Sequence, residues 1–132
     1  MEISATVRSA HATHEVAVRT GATTQALAIR PKTTGYGSAV NGGEFLMLAL
    51  ATCFCNDLYR EAERLHIPIK SVEVEASADF PGIGLAATNI RYRASVSSSA
   101  PVSAIADLLR QTDVVAEVHN TIRAGLPVAL LT

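Results

Sequence analysis

Tryptophan is absent, phenylalanine and tyrosine occur three times each, and 132 residues contain only two cysteines. With so few aromatic rings, an apolar content of 48% has to come from alanine and branched aliphatics, so the elements of the core can approach closely. The two cysteines, Cys53 and Cys55, are too near one another to staple distant segments, and two thiols do not make a four-ligand zinc site. Neither a metal nor a cofactor is expected from them. A basic run is also missing: eleven basic and twelve acidic residues are interspersed for a net charge of −1. A nucleic-acid partner or an anionic membrane needs a cationic patch, so both are set aside. The longest apolar block, Phe45 to Ala51, falls far short of the roughly 18 residues of a membrane span. Met1 to Thr6 does not read as a signal peptide. Reduced thiols in a cytoplasmic protein are the expectation.

What is present reads as one α+β domain over residues 1–132. Ile3 to Val7, Glu15 to Arg19 and Gln25 to Arg30 alternate apolar and polar residues, as half-buried strands require. Thr20-Gly21-Ala22 reads as a hairpin turn, and Pro31, which cannot donate to a ladder, ends this sheet. Lys32 to Gly43 contains four glycines and no periodicity, which predicts a long mobile loop. Its glycines lack the Lys-Ser/Thr of a phosphate loop. Glu44 to His66 is predicted as a long helix. Its first half is apolar all round; its second divides Leu58, Ala62 and Leu65 from a polar stripe of Asp57, Arg60 and Arg64. So much apolar surface asks for a sheet, or a second copy of the chain, to cover it. Ser71 to Ala78 and Asn89 to Val96 alternate as two further strands. Pro101 suits the first turn of a helix whose buried stripe is Val102, Ile105, Leu109 and Thr112. A shorter helix follows, with Asp113 as N-cap and Gly125 as stop, and Val128 to Leu131 is expected as a final strand.

Two segments carry a family resemblance. Asn41-Gly42-Gly43-Glu44-Phe45-Leu46-Met47-Leu48-Ala49-Leu50-Ala51-Thr52-Cys53 resembles the helix signature of the OsmC/Ohr proteins, which ends on a cysteine. Asn120-Thr121-Ile122-Arg123-Ala124-Gly125 resembles the family's segment before its last strand. The resemblance spans roughly Arg30 to the C-terminus and only weakly includes the opening sheet. It implies an intertwined homodimer with sites at the subunit interface. It also implies organic hydroperoxides as substrates, attacked by a peroxidatic cysteine that a second cysteine resolves, while an arginine and a glutamate hold the first thiolate.

Cys53 matches the peroxidatic position. Only a thiolate is nucleophilic, so the site asks for a nearby cation. Asp57, one turn on, opposes ionisation, and Arg60 is roughly 10 Å away by helical rise. The activating cation is therefore expected from another segment or subunit, with Arg8, Arg19 and Arg30 as candidates. The family's glutamate falls on Gly43; Glu44 is one position, or about 100° of helix, away, and otherwise reads as a first-turn acid favoured by the helix dipole. The second cysteine falls on Ala116, so an internal disulfide cycle has no partner. Cys55 lies about 200° around the helix from Cys53 and reads as a core thiol. His119 is placed near the second-cysteine position, where it could act on Cys53 as base or cation. His11 and His14 share an expected turn but lack a third metal ligand.

Three functions fit. One is a one-cysteine peroxidase reducing hydroperoxides through Cys53 and recycled by an external thiol. Another is a non-catalytic dimer of the same scaffold holding a small apolar ligand at its interface. A third is a hot-dog thioesterase, but the helical pair at 101–124 argues against it, because that fold continues there as sheet.

Overall fold

The computed structural model describes residues 1–132 as two compact units, Met1–Phe45 and Leu46–Thr132. The elements of the first are β1 (Ile3–Ala10), β2 (Thr13–Thr20) and β3 (Thr23–Leu27), an antiparallel sheet in the order β1-β2-β3. Pairing of Ala10 with Thr13 leaves His11 and Ala12 as the first turn, and pairing of Thr20 with Thr23 leaves Gly21 and Ala22 as the second. Gly21 has a φ of 55°, a left-handed conformation that glycine adopts without steric cost. β1 and β2 are longer than their alternation suggests, while β3 stops at Leu27, short of the expected Arg30. Lys32 to Asn41 forms the loop expected there, two residues shorter because the next helix begins at Gly42. A Pro31–Ser38 bridge closes its base, the Lys32 N–H donates to the Gly37 carbonyl at 3.0 Å, and the Ala39 N–H donates to the Arg30 carbonyl at 2.9 Å.

α1 (Gly42–Arg64) runs from the first unit into the second. Its start is a reciprocal cap. The Glu44 N–H donates to Asn41 Oδ1 at 2.8 Å, and the Asn41 N–H donates to Glu44 Oε1 at 3.0 Å, so two otherwise orphaned donors are satisfied at once. Its end is a Schellman closure. The Ile67 N–H reaches the Ala62 carbonyl at 2.8 Å and the His66 N–H reaches Glu63 at 3.2 Å, while His66 takes the left-handed conformation usually left to glycine (φ 56°). Burial is concentrated towards the second half, at Phe54, Asp57, Leu58, Glu61 and Ala62, with Leu50 the one buried residue before it. The first half, expected to be enclosed on all sides, is only partly covered within one chain, and Leu48 is 56% exposed.

The second unit continues with β4 (Ser71–Asp79) and β5 (Thr88–Ser97), an antiparallel pair, then α2 (Val102–Val115) and α3 (Glu117–Ala124). The register sets Val72 opposite Val96, Val74 opposite Ala94 and Ala76 opposite Tyr92, so the apolar sets of both strands share one face. That face packs on a core of Phe54, Leu58, Ala62, Leu108 and Ala116. Full burial of a side chain such as Phe54, Leu58 or Leu108 contributes about 1.5–3 kcal/mol. Leu108 and Thr112 are the buried residues of α2, whereas Val102, expected in the stripe, is 87% exposed. Asp113 does not cap α3: it lies within α2, and Ala116 is the junction residue between the helices. Gly125 ends α3 in the left-handed conformation, as expected. Residues 126–132 form no strand, and Val128, Leu130 and Leu131 are exposed; no strand of the chain pairs with this segment.

Candidate active site

On α1, residues four apart lie on one face, so Cys53 and Asp57 are neighbours by helical geometry. The Cys53 thiol donates to Asp57 Oδ2 at 3.5 Å. The opposite wall is the start of α3. Glu117 Oε2 stands 3.9 Å from the same sulfur, and the Val118 backbone N–H is directed at it. This approach is possible because Ala116, fully buried at the α2–α3 junction, has no side chain beyond Cβ to hold the helices apart.

Arg60 closes the arrangement from the polar side. Its Nη1 lies 2.9 Å from Asp57 Oδ1, and its Nε lies 3.6 Å from Glu61. The polar period of α1 puts Asp57 on a solvated stripe with Arg60 and Arg64, but it is 5% exposed, and Glu61 is 7% exposed. The two arginines stay in solvent and reach back over these carboxylates, keeping their charge compensated.

The electrostatics of the sulfur are mixed. Burial pushes the Cys53 thiol above its ordinary range and the carboxylates of Asp57 and Glu117 push the same way, while the Val118 N–H favours the thiolate. Burial, with Glu117 beside it, also raises the Asp57 carboxyl; the Cys53 hydrogen bond and Arg60 hold it down in part. Glu117 moves the other way, held down chiefly by its own backbone N–H. Cys53 is thus a neutral thiol at rest, in contact with a carboxylate able to accept its proton.

Glu44 and Arg19, two of the other expected participants, have partners of their own. Glu44 is engaged in the cap of α1. Arg19 is bound by Glu2 and donates to the Gly21 carbonyl, and Arg8 borders a recess on the first sheet with His14; with Arg30, they belong to the Met1–Phe45 unit. His11 occupies the β1–β2 turn, edge-on to Tyr36, but His14 is in β2, so the two do not share a turn. Cys55 is half-buried, not enclosed in the core. His119 does not bond Cys53. It is 3% exposed, with neither ring nitrogen paired, and its ring packs against Tyr92 at 4.4 Å and Phe54 at 5.8 Å between centroids.

Sequence reasoning missed Glu117 and Val118, whose only signal was their place directly after Ala116. It also missed what the Asn120–Arg123 segment does. Asn120 Nδ2 donates to the Val114 carbonyl at 3.0 Å, near the end of α2. Arg123 Nη2 meets Asp113 Oδ1 at 2.7 Å, and that oxygen also accepts the Tyr92 hydroxyl. The segment locks α3 against α2 and β5, and so fixes where Glu117 and Val118 stand.

A helix-borne thiol facing the start of a later helix, beside antiparallel strand pairs, defines an α+β protein with a single-cysteine site. Residues 35–130 match the OsmC-like protein family, and the chain belongs to it. Among solved structures, an OsmC-like protein from Mycoplasma pneumoniae is similar at 18% identity with a TM-score of 0.65, covering 92% of this chain and 86% of that one. An organic hydroperoxide resistance protein from Elizabethkingia anophelis is similar at 18% identity and TM-score 0.63, covering 93% of this chain and 89% of its own. An organic hydroperoxide resistance protein OsmC from Legionella pneumophila gives 16% identity and TM-score 0.61, covering 93% and 90%. At these identities the likeness is one of fold. No curated protein matches the chain.

Proposed function

We propose that this chain is a thiol-dependent peroxidase, reducing organic hydroperoxides through Cys53 and recycled by an external thiol, as a cytoplasmic homodimer. The observation that carries the reading is the contact of the Cys53 thiol with Asp57, a carboxylate oriented by Arg60. Asp57 takes the thiol proton as the sulfur attacks, so a thiol that is neutral at rest becomes a nucleophile at the moment of reaction. The Val118 N–H then stabilises negative charge on the sulfur. Sulfur bonds to the distal peroxide oxygen, the O–O bond breaks, and the alkoxide leaves as the alcohol after protonation. Cys53 becomes a sulfenic acid. Ala116 offers no thiol and Cys55 lies on another face of α1, so an external thiol condenses with the sulfenic acid and releases water. A second external thiol frees Cys53 by disulfide exchange. The names of two structural neighbours, organic hydroperoxide resistance proteins, support this substrate class. Two free cysteines support a reducing compartment, and the exposed Leu48, Val128, Leu130 and Leu131 support a second copy of the chain.

One observation favours the non-catalytic alternative. A recess of ≈ 610 Å³ is lined by Phe54, Tyr92, Ala94, Leu109 and Val114, among others, and is large enough for a small apolar ligand. Stopped-flow mixing with an alkyl hydroperoxide, with a sulfenic-acid trap present, separates the two. The peroxidase reading expects trap adducts at Cys53 and consumption above background; a rate equal to that of Cys53→Ser rejects it and leaves the binding module.

A further inference from the structure

His119 is buried in a place that suits it only while it is uncharged. The residue is 3% exposed, and neither ring nitrogen has a partner. Its ring stands edge-on to Tyr92 at 4.4 Å and tilted against Phe54 at 5.8 Å between centroids. Phe54 follows Cys53 on α1, and His119 follows Val118 on α3. The imidazole is therefore a wedge that ties the first turn of α3 to α1 and β5, one residue from the N–H directed at the Cys53 sulfur.

The rest of α3 is held differently. Asn120 Nδ2 donates to the Val114 carbonyl, and Arg123 bonds Asp113, which also accepts the Tyr92 hydroxyl. Burial opposes ionisation of Asp113, but the Arg123 and Tyr92 hydrogen bonds outweigh it and keep its pKa low. This anchor stays intact under mildly acidic conditions and fixes the far end of the helix. The His119 end has no such protection. Protonation would put a charge and two N–H donors into a space where every facing polar group is already committed. On β5, the Tyr92 hydroxyl donates to Asp113 of α2, and Asp113 is engaged by Arg123. Arg123, on α3 itself, repels a second cation, while Asp57 of α1 attracts one but is held by Arg60 and the Cys53 thiol. Attraction to the two aromatic rings is small beside the cost of desolvating an ion with unpaired donors. A ring that takes up a proton regains hydration only by leaving, and the turn that carries it leaves with it.

We propose that His119 is a positioning residue for Cys53: neutral, its ring holds the first turn of α3 against the sulfur, and protonated, it leaves its place between Tyr92 and Phe54 and withdraws Glu117 and the Val118 N–H. Cys53 then becomes more accessible but loses the donor that stabilises charge on its sulfur, so hydroperoxide reduction slows. The effect on reduction rests on the peroxidase reading; the release of α3 does not.

Hydrogen exchange on the reduced full-length protein at pH 7.5 and pH 5, corrected for the intrinsic pH dependence, tests the release. Protection of Glu117–Ala124 should fall at least tenfold at the lower pH, and that of β4 and β5 should fall less. Unchanged protection in α3, or an equal fall in β4 and β5, overturns the release. His119→Phe keeps the aromatic contacts and cannot titrate, so its α3 should stay protected at pH 5; loss of protection there also overturns the release. If circular dichroism shows that this variant does not fold, the wild-type comparison of α3 with β4 and β5 decides by itself. Cys53 and Asp57 titrate in both proteins, so ratios of wild type to variant isolate His119. From pH 7.5 to pH 5 the ratio for labelling of Cys53 by a bulky maleimide, mapped by mass spectrometry, should rise at least fivefold. The ratio for hydroperoxide consumption should fall at least fivefold. A constant labelling ratio with α3 released overturns the link to Cys53, and a constant consumption ratio overturns the effect on reduction. A labelling ratio that rises while neither protein consumes hydroperoxide fails the peroxidase reading alone. Consumption by both proteins with α3 protected at pH 5 fails the release alone.

Discussion

The guanidinium of Arg60 stands 2.9 Å from the carboxylate of Asp57, so the only cation of α1 near Cys53 neutralises the thiol's acceptor instead of the thiol. That relationship separates two properties usually found together in a reactive cysteine, a low pKa and a high rate. Here burial and two carboxylates raise the pKa of the sulfur, and the carboxylate that the proposed mechanism uses as base is adjacent to it.

Asp57→Asn should move these properties in opposite directions. Loss of the carboxylate removes a Coulombic and hydrogen-bonding cause of the raised Cys53 pKa, so the pH profile of alkylation by iodoacetamide should shift to lower pH. Burial, the first cause, remains and limits the shift. Hydroperoxide consumption near neutral pH should nevertheless fall about a hundredfold, because general-base assistance is lost. Consumption that rises in step with alkylation would remove Asp57 from the mechanism.

Which cysteine reacts is tested by paired substitutions. Cys53→Ser should abolish consumption and leave the urea midpoint nearly unchanged. Cys55→Ser should retain activity while losing about 1 kcal/mol, since a hydroxyl replaces a thiol at a half-buried position. After one equivalent of hydroperoxide, intact mass should show an added oxygen or an added external thiol on Cys53. An internal Cys53–Cys55 disulfide would contradict the helical geometry that sets the two side chains on different faces.

Assembly follows from surface left uncovered. Leu48 on α1, Ile3 and Val7 on β1, and Val128, Leu130 and Leu131 beyond α3 are all exposed in one chain. A homodimer at micromolar concentration is the expected result of light scattering or sedimentation. A stable monomer would leave these residues without an explanation and remove an element of the proposed function.

The architecture was legible because its signals are local. Alternation at Val72, Val74 and Ala76 marks β4, the apolar block from Phe45 to Ala51 followed by Leu58, Ala62 and Leu65 on one face marks α1, and Gly125 marks the end of α3. The candidate cysteine was legible through the segment that ends on Cys53, the part of the chain that carries the family resemblance. What escaped depends on contacts between distant segments. Asp57 follows the polar period of α1, and only the approach of α3 explains its burial. Glu117 carries no periodic signal; it becomes a site residue because Arg123 and Asn120 anchor its helix. Val128 to Leu131 has the composition of a strand, but no strand within the chain pairs with it.

His119 offers the last test, through the pH dependence of stability. It is 3% exposed, its ring nitrogens are unpaired, and burial, with Arg123 nearby, depresses its pKa below the ordinary 6.5. Below about pH 6.5 the unfolded chain therefore binds a proton that the folded chain resists, so this contribution to stability is present above that value and is lost as pH falls towards the folded pKa. Asp113 acts in a lower window. Burial alone would raise its pKa, but hydrogen bonds from Arg123 and Tyr92 outweigh it and bring the carboxyl below 3.8, so its contribution is lost only under more acidic conditions. Asp57, raised mainly by burial, works in the opposite sense and is common to wild type and variant, so it cancels between them. His119→Phe keeps the aromatic contact with Tyr92 and Phe54 and removes two unpaired nitrogens, each of which costs about 1–3 kcal/mol when buried without a partner. In urea unfolding at pH 7.5 and pH 5, the variant should be at least as stable as wild type at the higher pH and should lose less stability on going to the lower. An equal loss in both proteins would show that His119 is not the group that couples folding to protons in this range.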